Sequence, residues 1–395
     1  MISPLILAAL LVAPADIVRF APPEPWSDDF TAAAGWRNDR HLRMLADVDR
    51  DGRADVVGFG ETGVRVALST GEAFAASEPW VANYSYNQGW RVFAHPRYLV
   101  DIDADGMTDI VGFGELGVFV SRSTGAAFRP PALWLRDFGR SQGWRFDRHL
   151  RLLADVDGDR RPDVVAFGDR GVHVALAGTD QFTAPIVWLA DFGYDHGWRP
   201  DRDLRVLADV DGDGRSDIVA FGDDGVYVAL AESGRFAAPR RWIDEYGRAG
   251  GWQKDRHPRL VADVSGDGRP DIIGFTNSGT VLSLARERWF SASRRVLTEF
   301  GWDDGWDPAR HLRLALDVDG DRRADLVAFG DDGVYVARSR EVAFHPPALA
   351  LADLGYSHGW RLDTHVRVLA DVSGDGRPDI IAFGDDATLV AVAEP

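Results

Sequence analysis

The 395-residue chain contains no cysteine. Disulfide scaffolds, zinc–thiolate sites and cysteine nucleophiles are therefore excluded, and the absence is compatible with export from the cell. Basic charge is in short supply: 44 Lys and Arg against 62 Asp and Glu leave a formal charge of −18. A general nucleic-acid binder needs a basic surface to meet phosphates, so that class is excluded too. No apolar run approaches the roughly 18 residues of a membrane span. Helical periodicity is absent throughout. Ser-His-Asp and P-loop patterns are missing, and Glu is scattered with no motif around it. A propeller glycosidase or lyase would need a unique pair of carboxylates about 5–9 Å apart, whereas the acidic residues here are nearly all periodic. The sequence reads as that of a non-enzyme.

What remains is 45% hydrophobic and 27% charged, the balance of a soluble chain with enough apolar mass for a core. The stretch from Met1 to Val12 is almost wholly apolar and runs into Ala13-Pro14-Ala15, a small-residue cleavage pattern. Residues 1–15 thus resemble a secretory signal peptide, although no Lys or Arg precedes the run and Pro4 interrupts it. Secretion is the expectation, with residues 16–395 as one domain.

The chain holds 14 Trp, and their placement is regular. Gly-Trp recurs at Trp36, Trp90, Trp144, Trp198, Trp252, Trp306 and Trp360, always 54 residues apart. A second Trp lies ten residues earlier, at Trp26, Trp80, Trp134, Trp188 and Trp242, with Val296 and Ala350 in that slot in the last two repeats. Seven copies without insertion or deletion mark a repeat architecture. Each repeat reads as β. In the fourth, Leu204 to Val210 alternates, an acidic loop follows, Ile218 to Gly222 is a short apolar run, Gly225 to Leu230 alternates again, and a last extended segment spans about Phe236 to Ile243. Four short strands make one small antiparallel sheet. Seven such sheets predict an all-β, seven-bladed propeller. The seventh repeat stops after its third strand. Phe20 precedes Trp26 by six residues, as Phe74 precedes Trp80, so roughly Val18 to Trp26 is expected to supply the outer strand of the last blade and remove an open edge.

The acidic loops carry oxygen side chains at positions 1, 3, 5 and 9: Asp47, Asp49, Asp51 and Asp55; Asp101, Asp103, Asp105 and Asp109; Asp155, Asp157, Asp159 and Asp163; Asp209, Asp211, Asp213 and Asp217; Asp263, Ser265, Asp267 and Asp271; Asp317, Asp319, Asp321 and Asp325; Asp371, Ser373, Asp375 and Asp379. Calcium takes six to eight oxygens from a tight loop, and alternate carboxylates with one backbone carbonyl meet that need. An EF-hand would require Glu at position 12 and flanking helices. Here position 12 is Gly or Ala, as at Gly58 and Ala166, and a β run follows. A calcium loop between two strands survives. Asp-rich solvated turns are the plain alternative, but carboxylates crowded this closely repel without a cation. Setting aside the 26 Asp of these loops leaves 36 acidic residues against 44 basic ones, so the acidity is concentrated there. Arg160 and Arg322 stand where the other loops have a turn glycine.

Between blades runs a second recurrent segment, for example DFGRSQGWRFDRHLR over 137–151. His follows the Trp by five at His41, His95, His149, His257, His311 and His365, with Asp203 in the fourth repeat. Two residues on, Arg43, Arg97, Arg151, Arg205, Arg259, Arg313 and Arg367 complete the pattern. Trp is expected mainly to fill the wedge between sheets, and Arg to anchor the connection to a carboxylate. His is divided evenly between packing and ligand contact. Tyr86, Tyr194 and Tyr356 share a variable slot suited to a rim. Aromatic faces and hydrogen-bonding groups at a concave junction suit a sugar, and repetition lets weak sites gain by avidity.

These residues resemble a known family. DGxxD followed by [IV][VI][GA]FG and GV[YFH]V is similar to the FG-GAP (VCBS) repeat, also seen in integrin α-subunit heads. The run 191–236 resembles the repeats of the family of the Psathyrella velutina lectin, and the similarity spans residues 18–395. The resemblance implies calcium in the loops and N-acetylglucosamine-type or other N-acetylated sugar sites between consecutive blades. Carried over by position, the sugar-site residues are Trp90 and His95, Trp144 and His149, Tyr194 and Trp198, Trp252 and His257, Trp306 and His311, and Tyr356, Trp360 and His365. Asp203, Thr276, Thr280, Ala387 and the first junction, DFTAAAGW over 29–36, depart from the pattern. The expected partners are glycans or glycoproteins. A non-enzymatic extracellular adhesion propeller without sugar binding is the other reading.

Overall fold

The computed structural model describes residues 17–395, so the signal peptide expected over residues 1–15 lies outside them. Seven four-stranded antiparallel sheets form a closed ring. Blade 1 comprises Leu42–Ala46, Asp55–Phe59, Val64–Ala67 and Glu78–Val81, hydrogen-bonded in that order from the inner strand to the outer. Blades 2 to 6 repeat it, and blades 4, 5 and 6 add a two-residue hairpin before the outer strand. Blade 7 takes Val366–Ala370, Asp379–Phe383 and Thr388–Ala391 from one end of the chain and Glu24–Ser27 from the other.

The closing strand is shorter than its sequence suggests. Only an isolated bridge, Phe20 to Ala393, precedes the ladder that starts at Glu24. Pro22 and Pro23 lie between them and have no N–H to give. Phe20 is nonetheless buried in the core shared by blades 6 and 7, and its N–H donates to the Ala350 carbonyl at 3.2 Å.

The second strand of every blade, such as DVVGF at 55–59, is buried at all five positions. Its apolar run is continuous rather than alternating because both faces are covered by neighbouring blades. Val57 and Phe59 pack towards blade 2 and Val56 towards blade 7, so the core lies in the wedges between sheets. The early Trp of each repeat stitches a wedge at its rim. Trp26, Trp80, Trp134 and Trp188 each meet a Phe of the next blade edge-on, and Trp242 meets Phe290 at a tilt, all at 5.2–5.5 Å between ring centroids. The antiparallel path puts all seven acidic loops on one face of the ring. The Gly-Trp connections and the turns between second and third strands occupy the opposite face.

Candidate functional site

Each connection starts with a bulky residue in the left-handed region: Phe30, Tyr84, Phe138, Phe192, Tyr246, Phe300 and Leu354, at φ 57–67°. That conformation is costly for such side chains. The recurrent Arg holds it. Arg97 Nη1 donates to the Tyr84 carbonyl at 2.8 Å, and the other six Arg make the same bond at 2.7–3.0 Å. Each guanidinium also lies 4.9–5.6 Å from the centre of a Phe ring of the preceding blade. The Arg is therefore an anchor as expected, but to a strained carbonyl and not to a carboxylate. Burial pushes all seven down to about 10.

A one-turn 3₁₀ helix follows in six junctions, for example Tyr86–Gln88, closed by Gly89 at φ 91°. This left-handed closure explains the glycine of every Gly-Trp pair. The Trp then lies flat over the second strand of the next blade. A Cβ on Gly112 would come within 2.7 Å of the Trp90 ring. Trp90, Trp144 and Trp360 are buried, while Trp198, Trp252 and Trp306 are half-buried. Trp90 and Trp144 donate Nε1–H to Asn83 and Asp137 at 3.2 Å.

His149 Nδ1 accepts the backbone N–H of Arg145 at 3.1 Å, and its Nε2 lies 2.9 Å from Asp169. Nδ1 as acceptor places the proton on Nε2, which faces the carboxylate. His41 with Glu61 and His311 with Asp331 repeat the pair at 3.1 and 3.2 Å. His365 meets Asp385 at 3.3 Å, and His257 meets the Asn277 side-chain oxygen at 2.9 Å. His95 is looser, 3.8 Å from Glu115, and its buried Nε2 has no hydrogen bond. Burial holds His95 down at about 4 and lowers His41, His149 and His311, so these rings are neutral near pH 7. One His nitrogen caps the turn, and the other faces a rim side chain, which is Asn277 at His257 and a carboxylate at the other five.

Tyr194 and Tyr356, in the variable slot, are each stacked between two guanidiniums. The Tyr194 ring has Arg199 at 3.6 Å and Arg148 at 4.2 Å from its centroid. Tyr356 has Arg361 at 3.7 Å and Arg310 at 4.1 Å. Two guanidiniums that close must take opposite faces, leaving a ligand only the edge and the hydroxyl.

Concavities of two kinds flank the Trp. One, of about 440 Å³, is lined by Asn83, Trp90, His95, Glu115 and Phe119; its equivalent two blades on, about 350 Å³, has Asp191, Trp198, Asp203, Asp223 and Tyr227. The other kind lies between successive connections. Phe93, Arg140, Trp144, Arg145 and Asp147 line about 700 Å³, and Asp201, Arg248, Trp252, Gln253 and Asp255 about 650 Å³.

On the opposite face, carboxylate oxygens of positions 1, 3 and 9 converge within 4.8 Å of one another in loops 1, 2, 3, 4 and 6. Position 5 pairs instead with the Arg at position 7 in six loops, four of which also hold that group, as Asp159 pairs with Arg161. Met107 stands there in the second loop. The turn keeps its shape where glycine is replaced: Arg160 and Arg322 take the same left-handed region at φ 70° and 67°, and the Arg160 N–H reaches Asp155 at 2.7 Å just as Gly52 N–H reaches Asp47 at 2.9 Å. The position-9 carboxylates are wholly buried and accept two or three backbone N–H bonds, at Asp55 from Val48 and Ser69. Burial pushes them up, to about 7 at Asp55, Asp109, Asp163 and Asp325, about 8 at Asp217 and about 6 at Asp271. An all-oxygen donor set around a carboxylate that resists ionisation fits a hard cation.

Residues 47–112 and 209–274 match the FG-GAP-like repeat. The chain is 38% identical to an Agrocybe aegerita lectin, whose structure concerns specific recognition of non-reducing terminal N-acetylglucosamine, over 85% of this chain and 87% of that one, with a TM-score of 0.83. A Photorhabdus luminescens Tc holotoxin pore matches 90% of this chain with 17% of its own, at 16% identity and a TM-score of 0.50, which is a likeness of fold alone. No curated protein matches the chain significantly.

Proposed function

The chain belongs to the family of FG-GAP-repeat seven-bladed propellers that includes the Agrocybe aegerita lectin, and from that membership we propose that it is a secreted, calcium-binding lectin for N-acetylglucosamine-type or other N-acetylated glycans. The observation that carries the reading is the 38% identity along 85% of the chain to a protein that recognises that terminal sugar. The junctions support it chemically. An indole, the turn-capping side chain (His95 or Asp203) and a rim carboxylate (Glu115 or Asp223) line equivalent concavities two blades apart. Sugar C–H faces pack on aromatic rings, and hydroxyl or acetamido groups take the polar partners. One shallow site at millimolar affinity holds only about −4 kcal/mol, so repetition around a rigid ring supplies strength on a multivalent surface.

Calcium is assigned to the acidic loops, where positions 1, 3 and 9 would hold it and neutralise carboxylates that otherwise repel. The apolar stretch Met1 to Val12 and the small-residue pattern after it support export. Among the described residues no helix is long and apolar enough to cross a membrane. Most of the acidic groups recur with the 54-residue period, as a repeated binding site would require.

A glycan array probed with folded protein in calcium buffer tests the proposal. Selective signal on glycans ending in N-acetylglucosamine or another N-acetylated sugar is the expected result. A blank array from folded protein would overturn it in favour of an adhesion propeller without sugar binding.

A further inference from the structure

The second junction departs from the other six around its Trp. Its connection opens with Asn83, where the others have Asp29, Asp137, Asp191, Glu245, Glu299 and Asp353. The turn after its second strand carries Leu116, where the others have Thr62, Arg170, Asp224, Ser278, Asp332 and Asp386. Ala94 stands before its histidine, in a slot that is Arg in five other junctions and Thr364 in the seventh.

The missing arginine has a visible effect. Arg40, Arg148 and Arg310 each pair with the rim carboxylate of their junction, and the same carboxylate lies 2.9–3.2 Å from the His Nε2. Ala94 offers no such hold, and Glu115 stays 60% exposed and 3.8 Å from His95. His95 Nδ1 accepts the Arg91 N–H at 3.1 Å, so the ring proton is on Nε2. That N–H is buried and has no hydrogen-bond partner among the described residues. Buried donors are seldom left so. It borders the concavity of about 440 Å³ that Trp90, Leu116 and Phe119 wall with apolar surface, Leu116 exposing about half of its own. The equivalent concavity of the fourth junction is walled by Asp191, Asp203, Asp223 and Asp224.

We propose that the second junction is specialised for a sugar that carries an apolar aglycone, aryl or alkyl. A donor beside an apolar wall fits a ligand that is itself divided into an oxygen-rich and an apolar part. A sugar oxygen accepts the His95 Nε2–H, and the aglycone covers Leu116, Phe119 and the Trp90 ring. An anion would meet Glu115, and a single exposed carboxylate offers a cation little. The proposal rests on the junctions binding N-acetylated sugars and adds that this one reads what is attached to the sugar. A tenfold preference equals about 1.4 kcal/mol, which the burial of about 60 Å² of apolar surface supplies.

The test is calorimetric titration of the intact protein, in calcium buffer, with the methyl, phenyl and hexyl N-acetyl-β-D-glucosaminides. One site per chain is expected to bind the phenyl or the hexyl glycoside at least tenfold tighter than the remaining sites do, with no such class for the methyl glycoside. The phenyl and hexyl arms separate aryl from alkyl recognition. Leu116→Asp places a carboxylate on the apolar wall, as in the fourth, sixth and seventh junctions. Ala94→Arg restores the guanidinium that draws the rim carboxylate onto the histidine. Each variant should abolish the tight class and melt like the wild type, because other junctions already hold these residues in the same slots. Binding of the methyl glycoside without a gain for either longer aglycone overturns the proposal alone, as does a tight class that persists in both variants. Absence of binding by all three glycosides removes the lectin reading, and this site with it.

Discussion

Asp203 accepts the backbone N–H of Arg199 at 2.8 Å, and in the other six junctions a His Nδ1 accepts the equivalent N–H at 3.1–3.2 Å. The shared duty of the position is to cap the turn after Trp. The imidazole Nε2 is additional, and the fourth junction has dispensed with it.

That division separates two variants. His149→Asn keeps a short acceptor for the turn and should melt close to the wild type, whereas His149→Ala leaves the Arg145 N–H without its partner and should cost about 1 kcal/mol. Both should weaken sugar binding at that junction by roughly fivefold, the worth of one hydrogen bond. Calorimetric titration with chitotriose checks this; unchanged affinity in both variants would leave His149 with its capping duty alone.

The buried histidines set an acid limit. His95 titrates at about 4 in the folded chain and near 6.5 when unfolded. As pH falls below 6.5 the unfolded chain takes up the proton first. The stability contributed by the neutral ring is complete above 6.5 and is lost progressively down to about 4. Between pH 7 and pH 5 this amounts to on the order of 2 kcal/mol for His95, and His41, His149 and His311 act in the same sense. Urea midpoints at the two pH values should fall less in His95→Asn than in the wild type. Equal falls would remove His95 from the explanation.

Calcium affinity should be graded around the ring. Loops 1, 3 and 4 bring three carboxylates together with no guanidinium on position 3. In loop 2, Arg122 Nε lies 3.0 Å from Asp103, and Arg338 meets Asp319 at 2.5 Å in loop 6. Loops 5 and 7 have Ser265 and Ser373 instead of Asp. Titration of chelated protein should therefore resolve a tighter class of sites from a weaker one, and Arg122→Leu should move one site towards the tighter class. Chelation should also lower the melting temperature; an unshifted transition would refute calcium as a structural ion.

Arg151 is almost wholly buried, bonded to the Phe138 carbonyl at 2.9 Å and set over Phe113. Arg151→Ala removes the bond, the ring contact and the stem packing from a left-handed turn, with an expected loss of about 3 kcal/mol. Arg145→Ala, at an exposed arginine six residues earlier that bonds Asp147, should leave the melting temperature close to that of the wild type. Thermal melts of the two variants give the comparison.

The 54-residue period made the blades and the closing strand legible, because a repeat displays its strands seven times over. The acidic loops were legible for the same reason, and positions 1, 3 and 9 converge in five of them. Less accessible was where each polar group points. Asp159 turns to Arg161 because the loop brings position 7 back beside position 5. Arg97 reaches Tyr84 thirteen residues upstream, since a left-handed turn folds the connection onto itself. Tyr194 is enclosed by Arg148 of the preceding connection as well as by Arg199 of its own. Spacing shows which residues recur; it does not show which neighbouring repeat they lean upon.

Blade 7 has a consequence for biosynthesis. Glu24–Ser27 is made early in translation, and its partner Thr388–Ala391 late; the Thr388 hydroxyl donates to the Asp29 carbonyl across 359 residues. For most of synthesis the nascent propeller is an arc with two bare β edges. Contacts of such long sequence separation form slowly, and bare edges invite pairing with other chains. Translocation of the chain before the last blade is complete would keep those edges apart from one another until the ring shuts.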